Sequence, residues 1–128
     1  MKEFMMIFRS ENMQNAPAPS AEQMQAVLQQ WQQWIKSIAA KGKFSGTNRL
    51  LSEGKTLKPN NIITDGPYTE AKEMVGGYLI VKTNSLEEAI DLAKDCPALK
   101  YGGGNVEVRS VMTIDSDPVS VTFLQPKG

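Results

Sequence analysis

The stretch that decides the fold is Phe4-Met5-Met6-Ile7-Phe8, a run of apolar residues near the start of the chain. A second continuous apolar stretch, Tyr78-Leu79-Ile80-Val81, lies in the second half of the sequence. Apolar runs of this length without polar alternation are typical of strands that are buried on both faces. We therefore expect both stretches to be central strands of one sheet, with cover on both sides.

The region that begins at Ser20 predicts an amphipathic helix. Ser20 and Gln23 have the spacing of a capping box, and Lys41 is followed by Gly42, the residue type that ends helices in the left-handed conformation. Between these ends, apolar residues recur on one face at helical spacing: Met24, Val27, Leu28, Trp31, Trp34, Ile35 and Ile38. We expect this face to pack in the core or at an interface.

A shorter helix and several further strands complete the pattern. Ser85 and Glu88 repeat the capping-box spacing, and the helix that they begin is expected to end at Cys96-Pro97. The remaining strand candidates, in chain order, are residues 44–51, 56–57, 61–64, 106–114 and 119–123. With additions in the middle and an extra C-terminal edge strand, the order is β-α-β-β-α-β. This order predicts an α+β, ferredoxin-like fold with an antiparallel sheet and two helices on one face.

The second face of such a sheet needs a cover that the two helices do not provide. The smallest solution is a second copy of the same sheet, packed by two-fold symmetry, so we expect a homodimer. The alternative is that loops and the C-terminal strand of the same chain cover that face.

Length and charge limit the classes of function. The chain has 128 residues, which fits one domain with a core at about residues 1–114 and an extension at residues 115–128. Lys plus Arg number 14, as do Asp plus Glu, so no basic excess favours a nucleic-acid partner. No segment has the length and apolarity of a membrane span, and the first apolar run is too short for a signal peptide. We therefore expect a cytoplasmic protein without a membrane partner.

The absence of histidine is the most informative feature of the composition. Histidine is the commonest general base and the commonest metal ligand in proteins, and Cys96 is the one cysteine. Zinc binding and catalysis by a Cys–His pair are therefore not expected. The sequence also has no phosphate loop, dinucleotide fingerprint or calcium-binding loop. We expect a site without a metal or a cofactor.

The central part of the chain resembles a known family. Asp65-Gly66-Pro67-Tyr68-Thr69-Glu70-Ala71-Lys72-Glu73 is similar to the signature of YCII-related proteins of the DGPF type, and Gly76-Gly77-Tyr78 to the GGY that follows it. Similarity continues at Ser85-Leu86-Glu87-Glu88-Ala89, at Cys96-Pro97 and at Val106-Glu107-Val108-Arg109. The resemblance covers most of the chain. It implies a ferredoxin-like fold that dimerises as an α/β barrel, and it brings no settled activity.

Two features of the family bear on function. In related YCII proteins a His and Asp pair is associated with enzymatic activity, but this chain has Asp65 and no His, so that mechanism does not carry over intact. Tyr68 stands where the signature usually has Phe, which adds a hydroxyl group. Some family members are linked with, or fused to, extracytoplasmic-function sigma factors, which implies a regulatory alternative.

Asp65 is the first candidate for a catalytic residue. As a functional residue it would be a carboxylate in a metal-free pocket, where it moves a proton or anchors a ligand. That pocket would lie between the helices and the sheet, or at the dimer seam. The structural alternative is a turn residue, because Asp before Gly66-Pro67 accepts hydrogen bonds from nearby backbone N–H groups.

Arg109 is the first candidate for a ligand contact, because it lies on the wetter face of the last strand and a guanidinium suits a planar carboxylate. It would hold an anionic ligand or pair with Asp65, and a plain structural ion pair is an equal alternative. Arg9 and Arg49 are weaker candidates of the same kind.

The other candidate ligand contacts are two tyrosines and two charged residues near the signature. Tyr68 and Tyr78 would place hydroxyl groups in the pocket, although tyrosines at a sheet surface more often serve packing. Glu70 and Lys72 would form a polar lid over it, and a solvated charged loop is the usual alternative.

Two hypotheses about function follow. The first is a small-molecule-binding domain, with acid–base catalysis by Asp65 as its enzymatic form. The second is a non-enzymatic regulatory partner of an extracytoplasmic-function sigma factor. The sequence leaves the ligand, the reaction and the choice between the two open.

Overall fold

The computed structural model describes residues 1–11, 20–51, 53–65, 73–100 and 104–112, with the backbone alone at residues 11, 65 and 73. These residues form six strands, two α-helices and a short 3₁₀ turn at Pro97–Leu99. In chain order the elements are β1 (Lys2–Glu11), α1 (Ala21–Ala40), β2 (Phe44–Arg49), β3 (Lys55–Lys58), β4 (Ile62–Asp65), β5 (Glu73–Thr83), α2 (Leu86–Ala93) and β6 (Asn105–Ser110).

Four of the strands form one antiparallel sheet in the order β2-β5-β1-β6. The two apolar strands β1 and β5 lie at its centre, where Phe4 is opposite Val81. This is the ferredoxin-like order, so the predicted α+β class and β-α-β-β-α-β arrangement are confirmed for the described residues. The addition in the middle is a hairpin of β3 and β4, whose turn contains Asn60 and Asn61 with φ values of 68° and 61°.

One face of the sheet is covered by the helices, and we call it the covered face. Its core is apolar and consists of Phe4, Met6, Phe8, Trp34, Ile38, Leu79, Val81, Ala89, Leu92, Ala93 and Cys96. Phe8, Trp31 and Trp34 make edge-to-face ring contacts, with centroids 4.9 to 5.9 Å apart. The Trp34 indole N–H donates to the Leu92 carbonyl at 3.0 Å, which ties α1 to α2 inside the core.

The helix ends follow the sequence signals. Ser20 and Gln23 form the expected capping box, and Gly42 follows α1 with a φ of +71°. Ser85 caps α2 by accepting from the Glu88 N–H at 3.2 Å, while the Glu88 carboxylate accepts from the Asn84 N–H instead of completing the box.

Several element bounds differ from the sequence expectation. The strand expected at 44–51 ends at Arg49, and the strand expected at 106–114 ends at Ser110. Helix α2 ends at Ala93 and not at Cys96, because Pro97 begins a separate 3₁₀ turn. The edge strand expected at 119–123 lies outside the described residues.

We expected the apolar strands to be buried on both faces. Within a single chain, only one face of these strands is buried. Phe4, Met6 and Phe8 are buried under the helices, whereas Met5 and Ile7 are only half-buried. The described residues include no element that covers this second face, which we call the open face. In the same residues, no helix has the length and apolarity needed to cross a bilayer.

Candidate functional site

The open face carries two rows of side chains that run across all four strands. The strand register places Tyr78 and Ile7 opposite each other at the centre of the first row. The first row is Asn48, Tyr78, Ile7 and Glu107, and the second row is Gly46, Ile80, Met5 and Arg109. Adjacent strands lie about 4.8 Å apart, so each row spans about 15 Å.

The centre of the open face is an apolar strip. Met5, Ile7 and Ile80 lie next to one another on β1 and β5, and all three are half-buried. Removing these half-exposed apolar side chains from water would be favourable. The strip is therefore a surface on which an apolar body can pack.

A hydrogen-bonded polar pair forms one end of the strip. The Asn48 side-chain amide donates to the Tyr78 hydroxyl at 2.7 Å, and the Thr47 hydroxyl donates to the Tyr78 carbonyl at 2.7 Å. Strand β2 comes close enough for this because Gly77 has no side chain: a Cβ there would lie 2.7 Å from the Asn48 carbonyl oxygen. In the Gly-Gly-Tyr sequence, Gly77 therefore lets β2 approach, and Tyr78 uses that approach to form its hydrogen bond with Asn48.

A charged cluster forms the other end of the strip. Glu107 forms an ion pair with Arg9 through one carboxylate oxygen, and its other oxygen lies 3.7 Å from the Arg109 Nε atom. Arg9 and Glu107 are partly exposed, whereas the Arg109 side chain is 68% exposed. The cluster thus combines one carboxylate with two guanidinium groups, and it carries a net positive charge.

The structure brings two of the predicted site residues to the same face. Tyr78 and Arg109 both lie on the open face, two strands apart. Asp65 is the last residue of β4, where its backbone is opposite Lys55 in the hairpin. Its side chain is outside what the structure describes, so its catalytic role stays a prediction.

The remaining candidates have different outcomes. Tyr68, Glu70 and Lys72 lie outside the described residues. Arg9, a weaker candidate, belongs to the charged cluster. Arg49 is exposed and pairs with Gly77 at the end of β2, so its register position is on the other face from Asn48.

Two site residues were missed by sequence reasoning. Asn48 had no motif, and only the register of β2 with β5 shows that it reaches Tyr78. Glu107 was assigned to the wetter face of its strand, but its link to Arg9 joins residues 98 positions apart in the sequence. The alternation of Val106 with Glu107 is the one local signal that could have raised Glu107 as a candidate.

Within the described ranges, the space between helices and sheet offers no comparable site. Its polar side chains are satisfied, since Trp34 bonds to Leu92 and the Thr83 hydroxyl donates to the Ser85 carbonyl at 2.8 Å. A depression of about 180 Å³ lies between the two helices, and the Lys43–Glu88 ion pair is at its rim. A larger, shallow depression of about 490 Å³ lies where β1 begins.

Two titratable groups on the covered side have shifted pKa values. Burial raises the pKa of the Cys96 thiol to about 11, so this cysteine is a poor nucleophile near neutral pH. The hydrogen bond from Lys43, together with that from the Asn84 N–H, lowers the pKa of Glu88. In the part of the chain that the structure describes, no three His, Cys, Asp or Glu side chains gather at one point.

Comparison with known proteins gives the family. The model of the YCII-related domain matches residues 3–115. The chain belongs to the YCII-related domain family. An uncharacterised protein of this family, R00369 of Rhizobium meliloti (strain 1021), is 30% identical over 95 residues, which are 70% of this chain and 77% of that protein.

A solved structure is similar at the level of the chain trace. It is the 5-chloro-2-hydroxyhydroquinone dehydrochlorinase TftG from Burkholderia phenoliruptrix AC1100, in complex with 2,5-dihydroxybenzoquinone. The similarity covers 83% of this chain and 90% of that chain, with 18% sequence identity and a TM-score of 0.46. A likeness of this size does not transfer an activity.

Proposed function

We propose that this YCII-related chain is a small-molecule-binding domain whose ligand lies on the open face of the sheet. The observation that carries the proposal is the arrangement of that face. An apolar strip of Met5, Ile7 and Ile80 lies between a tyrosine hydroxyl and an arginine cluster. Pockets for small molecules typically combine an apolar lining with a few polar groups that fix orientation.

An open sheet face is not yet a pocket, because a bound small molecule normally has most of its surface buried. A second body must therefore cover the face, and we propose a second copy of the chain. A two-fold axis would place the two open faces opposite each other and enclose a cavity between the sheets, lined by the apolar strips and their polar ends. The resulting assembly is the dimeric α/β barrel expected from the family.

Oligomeric state tests this cover directly. Ile7→Glu places a carboxylate in the middle of the apolar strip, so we expect it to convert the dimer into a monomer in sedimentation experiments at micromolar concentration. Leu28→Glu is the matched control, because Leu28 is an exposed apolar residue of α1 on the other side of the sheet. A wild-type chain that sediments as a monomer of about 14.1 kDa would exclude the dimer.

The enzymatic form of the proposal assigns proton transfer to Asp65. Asp65 ends the hairpin strand β4 and begins the signature segment, which would also supply Tyr68, Glu70 and Lys72. With no histidine in the chain, we assign the general base in proton shuffling of an isomerase or lyase type to a carboxylate.

Native mass spectrometry of the purified protein tests the binding proposal, because it reports subunit number and any retained small molecule together. Asp65→Asn is the variant that tests the site. If a ligand is found and the variant loses its binding or turnover, Asp65 belongs to the site. If the variant behaves like the parent in both respects, Asp65 is a turn residue.

A regulatory partner protein is the second candidate function, and the hairpin is the observation that favours it. Leu57 and Ile63 are opposite each other on one face of the hairpin and are 73% and 58% exposed. Exposed apolar pairs of this kind are a feature of protein-binding surfaces. Co-purification with an extracytoplasmic-function sigma factor that is lost in a Leu57→Ser, Ile63→Ser variant would support this candidate, and no co-purification would exclude it.

A further inference from the structure

We infer that the ligand of the open face has a flat apolar body with an anionic oxygen group at one end and a neutral hydrogen-bond acceptor at the other. The anionic group is held by Arg109 and the neutral acceptor by Tyr78. The inference rests on the proposed function and adds to it the chemical class of the ligand, its orientation and a positioning role for Glu107.

The charged cluster determines that one end of the ligand carries a negative charge. Glu107 interacts with both guanidinium groups, so it neutralises one of them and leaves one positive charge over. Arg9 makes the closer ion pair and is the less exposed of the two, whereas Arg109 is 68% exposed and holds Glu107 only at 3.7 Å. Arg109 therefore keeps donors for a ligand, and guanidinium groups bind carboxylates in a bidentate way.

Glu107 acts on the ligand through Arg109 and not by contact. Its carboxylate lies between Arg9 and Arg109, so it limits the directions in which the Arg109 side chain can extend. On the side of the cluster nearer Arg109, the next cross-strand pair of the same face is Glu3 opposite Lys82, which is neutral in sum and leaves the charge at Arg109 unchanged.

The tyrosine end sets the direction of one hydrogen bond. The Tyr78 hydroxyl accepts from the Asn48 amide at 2.7 Å, so one of its lone pairs is occupied while its own proton stays available. A ligand group at this end is therefore favoured when it accepts a hydrogen bond. A carbonyl or ether oxygen meets this requirement, and an ammonium group does not.

The strip between the two ends sets the size of the body. Tyr78 and Arg109 lie on strands β5 and β6 with β1 between them, so their backbones are about 10 Å apart across the sheet. Along the strands, Arg109 is two residues from the row of Tyr78, which adds about 7 Å. The two backbones are therefore about 12 Å apart on the diagonal, and a hydrogen bond at each end leaves room for one ring rather than a fused ring system or an acyl chain.

Three probes of one shape separate the two ends. 4-Acetylbenzoate has the charge and the ketone, 4-acetylbenzamide lacks the charge, and 4-isopropenylbenzoate has a methylene group in place of the ketone oxygen. We expect titration calorimetry with the full-length protein to rank 4-acetylbenzoate first. Loss of the charge should weaken binding about tenfold, and loss of the ketone about threefold, as charged and neutral hydrogen bonds differ.

Substitutions show which residue causes each difference in probe affinity. Arg109→Gln should remove the preference for 4-acetylbenzoate over 4-acetylbenzamide, and Tyr78→Phe should remove the preference over 4-isopropenylbenzoate. Arg49→Gln is the matched control, because Arg49 ends β2 away from the cluster and should leave both preferences unchanged. Glu107→Gln raises the positive charge of the cluster by one, so charge alone would tighten binding of 4-acetylbenzoate. We expect weaker binding instead, because Arg109 loses the carboxylate that positions it, and tighter binding would exclude that role of Glu107.

Amide chemical shifts measured with the same probes separate the two proposals. Probe binding that maps to β1, β5 and β6 but is indifferent to charge would overturn the ligand class and leave the open-face proposal standing. Binding that maps to the helices would overturn both. If none of the three probes binds at millimolar concentration, the inferred ligand class is wrong, whatever native mass spectrometry finds on the protein.

Discussion

The covered and open faces of the sheet are built from the same two apolar stretches, yet they differ in what lies among the apolar residues. On the covered face, Phe4, Met6 and Leu79 are buried in the apolar core under the helices. On the open face, the alternate residues of the same strands lie between a charged cluster and a tyrosine–asparagine pair. One strand therefore serves a core on one side and a candidate site on the other.

The difference between the two faces shows where a domain of this size can place charged and polar side chains. Burying an unpaired charge costs far more than a buried hydrogen bond returns, so a core of this size stays apolar. Among the described residues, no buried side-chain nitrogen or oxygen lacks a hydrogen-bond partner, and the Trp34 indole, for example, donates to Leu92. Charged groups with donors left over are found on the open face, where water can solvate them.

The largest expected loss of stability comes from comparing Leu79 with Ile80, two adjacent residues of β5 whose side chains lie on opposite faces of the sheet. Leu79→Ala should lower the free energy of unfolding by about 2–5 kcal/mol, because Leu79 is fully buried and its removal leaves a cavity. Ile80→Ala, one residue along, is on the half-buried open face and should cost less in a single chain. Denaturant unfolding at two protein concentrations measures both.

The dependence on protein concentration shows how the losses from Leu79→Ala and Ile80→Ala are to be interpreted. If a second copy covers the open face, the loss from Ile80→Ala should depend on protein concentration, since dissociation contributes to unfolding. The loss from Leu79→Ala should exceed it at every concentration. Equal, concentration-independent losses would show that the two faces are equally buried in the folded chain, and the comparison would fail.

A smaller effect is expected from the one indole hydrogen bond that joins the two helices. Trp34→Phe removes the donor to the Leu92 carbonyl and leaves that oxygen buried without this partner, so it should cost about 1–3 kcal/mol. Trp31→Phe is the matched control, because Trp31 belongs to the same aromatic cluster but is only half-buried. Calorimetric melting of both variants compares them, and a larger loss for Trp31→Phe would contradict the assignment.

The parts of this structure that the sequence predicted are those set by local rules. The capping box at Ser20 and Gln23, the glycine after α1 and the packing of Val106 and Val108 against the core each depend on residues a few positions apart. Short-range sterics and hydrogen bonds decide such features, so a single sequence contains them. The strand order followed because β-α-β-β-α-β leaves few antiparallel arrangements.

The parts that were missed depend on register and on distant partners. The sequence suggested Tyr78 and Arg109 as ligand contacts, but nothing local shows that Asn48 reaches the Tyr78 hydroxyl or that Glu107 joins Arg9 to Arg109. A shift of one residue in the pairing would have moved each of these side chains to the other face. Burial on both faces was wrong for a single chain, because the apolar runs do not show which elements of the fold lie over each face.

The smallest expected effect concerns a charged pair at the rim of the covered face. Glu88 in the first turn of α2 accepts hydrogen bonds from Lys43, just before β2, and from the Asn84 N–H, and both lower its pKa. A carboxyl group whose pKa is lower in the folded state stabilises the fold while it is ionised. That contribution is present above the usual pKa of about 4.5 and is lost as the pH falls through the lower folded-state pKa.

Glu88→Gln should therefore be less stable than the parent at pH 7, by an amount that shrinks below about pH 4.5 and vanishes once the folded-state carboxyl is protonated. Glu87→Gln is the control, because Glu87 is acidic in the same turn and shares its interaction with the helix dipole. Thermal melts of the three proteins from pH 3 to pH 7 measure the difference. If Glu87→Gln reproduces the whole pH dependence, the helix dipole is its cause, and the Lys43–Glu88 pair does not stabilise the rim of the covered face.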